Sequence, residues 1–273
     1  MKLIADSGST KTDWVLTDGG TIMGRYHTQG INPVHQTENE VLDILRSELL
    51  PQLSHAPSAV YFYGSGVRPE LESVVAEVLK TAFPAATAVE AHSDLLGAAR
   101  ALCGCAEGIA CILGTGANSC LYDGRAIVKN TPALGYILGD EGSGAVLGIK
   151  FLNALYKGFM PESVVTDFQH DINMTLADVI ARVYRQPMAN RFLASLSPFI
   201  KSHLDVPEVK ALVVDNFRNF FRRNIAPYDR PDLPASFVGS MAWHYADQLK
   251  EAATAEGFHV GRILQSPIDG LVP

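Results

Sequence analysis

Cysteine is scarce: four residues in 273, at positions 103, 105, 111 and 120. So few in a chain this long argue against a disulfide framework. Cys103-Gly104-Cys105 has a spacing that can ligate a metal, but Cys111 and Cys120 fall in strand-like apolar segments, so unbridged thiols are the preferred reading. Positive charge is also scarce. Lys and Arg number 22 against 29 Asp and Glu, the net charge is −7, and the one adjacent basic pair is Arg222-Arg223. That balance excludes an extended basic face and with it a nucleic-acid partner. Long apolar runs are missing, and none approaches the ~18 residues of a membrane span. The start, KLIAD, carries charge where a secretory leader would be apolar, so the expected location is cytoplasmic. What remains is 47% hydrophobic and 19% charged, an ordinary globular composition, and the length suits two domains.

Apolar runs ending in small residues come first. Leu3 to Ala5, Trp14 to Leu16 and Thr21 to His27 read as strands, with Asp18-Gly19-Gly20 as a hairpin turn. Val41, Leu42, Leu45, Leu49 and Leu50 have helical spacing up to Pro51. Ala59 to Tyr63 is a strand closed by Gly64-Ser65-Gly66. A helix over 71–83, a short strand at 87–89 and a helix over 95–102 follow. The opening pattern then recurs. Ile109 to Leu113 is a strand, Gly114 to Asn118 a tight turn, Cys120 to Tyr122 a strand, Asp123-Gly124 a turn and Ala126 to Val128 a strand. LIADSGSTKTDWVLTDGGTIMGRY and CILGTGANSCLYDGRAIVKN are thus one supersecondary unit written twice. From Gly144 the spacing is helical, with three or four helices expected over 161–226 and breaks near Pro187 and Pro207. A strand at 234–238, a helix over 241–255 and a strand at 260–264 complete the pattern. The expected architecture is α/β in two domains around a cleft: 1–106, and 107–273 with a helical insertion at about 150–230.

The first small-residue turn, Asp6-Ser7-Gly8-Ser9-Thr10-Lys11-Thr12, looks like a P-loop and fails the test. A Walker A loop needs glycine directly before the lysine and a helix directly after it. Here Thr10 precedes Lys11, and Trp14-Val15-Leu16 continues as strand. A tight hairpin still offers backbone N–H groups to an anion, Gly8 lets a phosphate approach, Ser7, Ser9, Thr10 and Thr12 add hydroxyls, and Lys11 adds charge. Asp6 at the root of the loop makes sense beside phosphate if Mg2+, with its waters, lies between. The second turn, Gly114-Thr115-Gly116-Ala117-Asn118, repeats the device. Gly239-Ser240, between a strand and a helix, suits a nucleoside or phosphate.

In these motifs, DSGSTKTDW at 6–14, GIN at 30–32, SDLLGAA at 93–99, LGTGANS at 113–119 and LGDEGSGAVLG at 138–148, the chain resembles a known family. It is similar to the BadF/BadG/BcrA/BcrD ATPase and N-acetylglucosamine kinase group of the sugar kinase/Hsp70/actin superfamily, in order and over nearly its whole length. The resemblance implies two ribonuclease-H-like domains holding ATP and Mg2+. It implies Asp6 to Thr12 and Leu113 to Ser119 as phosphate loops, Asp6 near the Mg2+, and Gly239 and Ser240 beside the adenosine. It implies Asp94 as the general base on a sugar hydroxyl, and Asn32 and Asp140 as partners of sugar hydroxyls. The function implied is phosphorylation of an amino sugar such as N-acetylglucosamine, with a homodimer as the expected assembly. Other readings of the same residues stay open: Asp94 as a helix N-terminal acid, Asp140 and Glu141 as helix caps, Asn32 as a turn residue, His92 as a strand-end histidine. Two other functions also stand: an ATP-driven activator of a partner enzyme, of the 2-hydroxyacyl-CoA dehydratase kind, and a non-catalytic nucleotide or sugar sensor. The sequence departs from the family pattern at Phe237-Val238-Gly239-Ser240-Met241, where a Gly-Gly pair is more usual. A C-terminal helix returning to the first domain is expected to be truncated or absent.

Overall fold

Leu3, Ile4 and Ala5 are all buried, as are Trp14, Val15 and Leu16. Strands apolar on both sides belong inside a covered sheet. They form β1 (Lys2–Ser7) and β2 (Lys11–Asp18), paired antiparallel, and β3 (Thr21–Gln29) pairs with β2. The computed structural model describes residues 1–8 and 11–272. The chain divides into two units, residues 1–105 with the stretch from Ser266 onward, and residues 106–265.

In the first unit the meander is followed by α1 (Glu38–Ile44), started by a capping box of Thr37 and Glu40. A wide turn, Leu45–Leu49, and a tight one, Leu50–Gln52, carry the chain through Pro51. Then come β4 (Ala59–Gly64), α2 (Pro69–Ala82), β5 (Ala88–Ser93) and α3 (Asp94–Cys103). The sheet order is β3-β2-β1-β4-β5, with β1, β4 and β5 parallel. Trp14 and Phe62, ring centroids 5.9 Å apart, anchor its core, and the indole N–H donates to Thr28 Oγ1 at 3.1 Å.

The second unit repeats the plan. β6 (Gly108–Leu113), β7 (Ala117–Tyr122) and β8 (Ile127–Thr131) form the meander. A helical stretch follows: α4 (Gly135–Leu138), α5 (Gly144–Tyr156), α6 (Glu162–Asp171), α7 (Leu176–Tyr184), α8 (Ala189–Ser195), α9 (Ser197–Ser202) and α10 (Pro207–Phe220). β9 (Ala235–Val238), α11 (Ser240–His244), α12 (Ala246–Ala255) and β10 (Val260–Leu264) close it. Its order, β10-β9-β6-β7-β8, is that of the first sheet with β6 in the place of β1 and β9 in that of β4. Phe220, Phe221 and Phe237 meet in its core. Each fully buried Phe is worth about 1.5–3 kcal/mol over an exposed one.

Three details differ from the sequence reading. Residues 161–226 hold five helices rather than three or four, because α8 and α9 are separated only at Leu196. The helix expected over 241–255 breaks at Tyr245 (φ −118°, ψ 33°), whose fully buried side chain donates its hydroxyl proton to the Ser197 carbonyl at 2.6 Å. The stretch from Ser266 onward groups with the first unit, not the second. A four-residue helix, Ile268–Leu271, packs on α3 and β1, Ile268 is buried, and Arg25 reaches Asp269 at 3.5 Å. Among the described residues no helix is long and apolar enough to cross a membrane, and none of the four cysteines forms a disulfide.

Candidate functional site

In the first unit, Ser7, Gly64 and Ser93 lie abreast where β1, β4 and β5 end. The carboxyl ends of parallel strands are where open α/β sheets bind ligands. The hairpin after β1 is tight: the Gly8 N–H donates to the Lys11 carbonyl at 3.0 Å, and Ser7 pairs with Thr12. Ser9 and Thr10, two of the expected phosphate donors, lie outside the described residues. Lys11 is exposed, and its ammonium pairs with Asp13 at 2.9 Å; Asp13 also meets His27 Nδ1 at 2.6 Å. Ser7 and Thr12 are buried, and their hydroxyls lie 2.7 Å apart, turned into the sheet rather than toward a ligand.

Asp6 and Asp94 are the charged groups of this edge. Burial pushes the Asp6 carboxyl up to about 7, helped by the charges of Asp94 and Asp13 and opposed by Lys11. Asp94 is the first residue of α3, behind the N-cap Ser93, whose hydroxyl accepts the Leu96 N–H at 3.2 Å. Burial raises its pKa, while the Leu95 N–H, donating to Oδ1 at 2.8 Å, opposes the rise. Asp94 is therefore both a helix N-terminal acid and a carboxylate with raised proton affinity beside Asp6. Asn32 packs against Gly66; its Oδ1 accepts the Val34 N–H at 3.0 Å, and its Nδ2 has no partner among the described residues. His92 lies between Glu72 and Glu90, at 3.1 and 3.2 Å, as a strand-end residue.

In the second unit the hairpin Gly114–Gly116 is docked by its carbonyls. Gly114 and Thr115 accept the N–H groups of Gly144 and Ala145, the first turn of α5, at 2.8 and 3.2 Å. With the carbonyls turned to the helix, the Thr115 and Gly116 N–H groups and the exposed Thr115 hydroxyl keep no partner among the described residues. Successive unpaired amides are an anion-binding arrangement. Asn118 Oδ1 accepts the Ser119 N–H and Asn130 Nδ2 at 2.9 and 3.0 Å. The Asp140 carboxylate lies against Gly116, with Asp140 itself in the left-handed region (φ 54°). Burial holds its carboxyl above the usual range, opposed by the neighbouring backbone of Gly135 and Ala117. Gly239 abuts the same hairpin. Its φ is 115°, and a Cβ there would run into the Leu113 carbonyl oxygen, so only glycine fits. Ser240 follows, exposed.

No protein-family model matches the chain, and no curated protein matches it. Solved structures do. A candidate N-acetylglucosamine kinase from Porphyromonas gingivalis is 52% identical to it, over 100% of this chain and 97% of that one, with a TM-score of 0.95. The chain belongs to the sugar kinase/actin-like ATPase family. Two more distant members of this fold are a candidate N-acetylglucosamine kinase from Chromobacterium violaceum and a ROK-family glucokinase from Streptomyces griseus. The first is 19% identical over 99% of this chain and 97% of that one, with a TM-score of 0.77. The second, in complex with glucose and AMPPNP, is 14% identical over 99% and 96%, with a TM-score of 0.57.

In one unit Asp6 interacts with Asp94, Asp13 and Lys11, and in the other the Gly114–Gly116 hairpin meets Asp140 and Gly239. Sequence reasoning missed Asp13, which only the Asp6–Asp13 pairing of the hairpin brings to the site. It also misassigned the cap of α5. Ser143 is the N-cap, accepting the Val146 N–H at 3.2 Å, while Glu141 pairs with Asn224 at 3.3 Å and faces Arg223. The signal was present, since serine is the better N-cap and Ser143 directly precedes the helix.

Proposed function

We propose that the protein transfers the terminal phosphoryl group of ATP to a hydroxyl of an amino sugar, N-acetylglucosamine or a close relative. The observation that carries this reading is Asp94, a carboxylate of raised proton affinity at the carboxyl edge of β1, β4 and β5, next to Asp6. Phosphoryl transfer asks a protein mainly for positioning and charge stabilisation, plus a group to take the hydroxyl proton. Asp94 takes that proton. Asn32 holds a sugar hydroxyl through Nδ2. Asp140, whose carboxylate lies against Gly116, accepts from a second hydroxyl. The Thr115 and Gly116 amides, Asn118 and the first hairpin with Lys11 hold phosphate oxygens, and Gly239 and Ser240 adjoin the nucleoside. The likeness to a candidate N-acetylglucosamine kinase at 52% identity supports the substrate, and the AMPPNP held by the glucokinase supports the nucleotide. Asp6, at the root of the first hairpin, would face a hydrated Mg2+ through water. Bound Mg2+ would supply charge neutralisation at the phosphates. A cytoplasmic location, where ATP is made available, goes with this reading.

Asp94→Asn tests it. General-base catalysis is worth about 10²–10⁴-fold. The variant should lose at least about 10²-fold in kcat, with both KM values within about threefold of wild type. Full retention of kcat would remove Asp94 from the chemistry.

We also propose a homodimer through the second unit. Ile137, Ile180 and Tyr184 are exposed beside a groove of about 540 Å³ that is lined almost wholly by apolar side chains of α4, α5 and α7. A nearly uncharged surface suits a self-complementary contact. Tyr184→Glu should halve the mass measured by light scattering; a monomeric wild type would end the proposal.

A further inference from the structure

We propose that Ser7 and Thr12 are positioning residues for the acceptor sugar rather than phosphate ligands: they fasten the turn that carries Asn32 to the strands of the first hairpin. This rests on the kinase reading above.

Both residues are fully buried. A serine hydroxyl has one proton and two lone pairs. Ser7 Oγ accepts the Ile31 N–H at 3.0 Å, lies 3.0 Å from the Ile31 carbonyl, and lies 2.7 Å from Thr12 Oγ1. Thr12 Oγ1 also reaches the Gln29 carbonyl at 3.2 Å. The two protons of this pair have two consistent arrangements. Either Ser7 donates to Ile31 and Thr12 to Ser7, or Ser7 donates to Thr12 and Thr12 to Gln29. Each uses both protons, so neither hydroxyl keeps a donor for a phosphate oxygen.

What the pair holds is the segment Gln29–Ile31, directly before Asn32. Ile31 is itself fully buried; its N–H is held by Ser7 in both arrangements and its carbonyl in the first. On the far side of Asn32 the turn is closed by Gln36. Its Oε1 accepts the Asn32 N–H at 2.6 Å, and its Nε2 donates to the Gly30 carbonyl at 3.1 Å. The backbone of Asn32 is thus pinned from Ser7 through Ile31 and from Gln36. Its side chain is aimed by the Val34 N–H, and Nδ2 is left available. Removing the Ser7 hydroxyl strands the buried Ile31 N–H, and in the first arrangement the Ile31 carbonyl too, and frees the turn. The strands that form the hairpin keep their own ladder.

The test is steady-state kinetics on the full chain, with KM for N-acetylglucosamine and for ATP measured separately. One hydrogen bond is worth about 0.5–1.5 kcal/mol, so Ser7→Ala should raise the sugar KM roughly 3–10-fold. The KM for ATP and kcat should stay within about twofold. Thr12→Val, nearly the same shape without the hydroxyl, should act in the same direction and serves if Ser7→Ala does not fold. In an Asn32→Ala background the added Ser7→Ala or Thr12→Val change should move the sugar KM less than about twofold, because the pair acts through Asn32. Three outcomes overturn the proposal: a raised KM for ATP with an unchanged sugar KM; a loss of kcat alone, as a lower folded fraction would give; or full multiplication of the effects in the double variant. Absence of turnover in the wild type would instead sink the kinase reading itself.

Discussion

Asp6 and Asp94 bind protons more tightly folded than unfolded, and that has a defined consequence for stability. A carboxyl whose folded pKa is raised favours the fold while protonated; the contribution is complete below about pH 4 and is lost as pH rises through the folded value, about 7 for Asp6. Asp6→Asn should therefore raise the melting temperature at pH 8, by about 2–4 °C for each kcal/mol relieved, and hardly at all near pH 4. A gap that fails to widen with pH, read by thermal denaturation, would contradict the assignment. The variant should gain this stability while losing activity, the usual exchange at a functional site. Asp94→Asn should lower the Asp6 pKa, because part of the Asp6 shift is the Asp94 charge. Asp6 was legible in the sequence as an acid where an apolar run gives way to small residues, and Asp94 through the resemblance carried by SDLLGAA. Ser7 and Thr12 read as phosphate donors when the loop is judged by composition, whereas their hydroxyls meet each other and the Gln29–Ile31 backbone. Alternation would have corrected this: Ser7 shares a face with Leu3 and Ala5, and Thr12 with Trp14 and Leu16, all core residues. Asp13 was not legible, since its place beside Asp6 exists only once the hairpin register is set.

The hairpins owe their shape to what they dock on. The second is held by the first turn of α5, which spends two helix N–H groups on Gly114 and Thr115. Sequence patterning identified both hairpins and the strands flanking them, since periods and turn residues are local properties. It missed the break at Tyr245, caused by a hydrogen bond to Ser197 across 48 residues, and local spacing carries no trace of that. Gly239→Ala should lower the melting temperature and raise the KM for ATP, because the added carbon meets the Leu113 carbonyl at the root of the hairpin. Gly148→Ala is the control on the same unit. There the carbon would strike the backbone of Leu193 in α8. Overpacking of this kind costs about 1–3 kcal/mol. The variant should be destabilised in denaturant titration with its ATP KM unchanged; equal effects of the two glycines on nucleotide affinity would count against a special place for Gly239.

The molecule is one topological plan used twice, and the duplication was readable from two stretches, residues 3–26 and 111–130, because both copies kept the same turns. The return of the last residues to the first unit was not readable, since Ile268 declares its partner only in three dimensions. Large-to-small changes in a core cost about 2–5 kcal/mol for Ile→Ala. Ile268→Ala should destabilise the protein by about that amount, and unchanged denaturation would mean the closing turn is dispensable. The central claim is phosphoryl transfer from ATP to an amino sugar. ADP release from Mg-ATP by the purified full chain, read against a panel of hexoses and amino sugars, tests it most directly. The account predicts saturable release dependent on N-acetylglucosamine or a close amino-sugar relative, lowered at least about 10²-fold by Asp94→Asn; release with no member of the panel would contradict it.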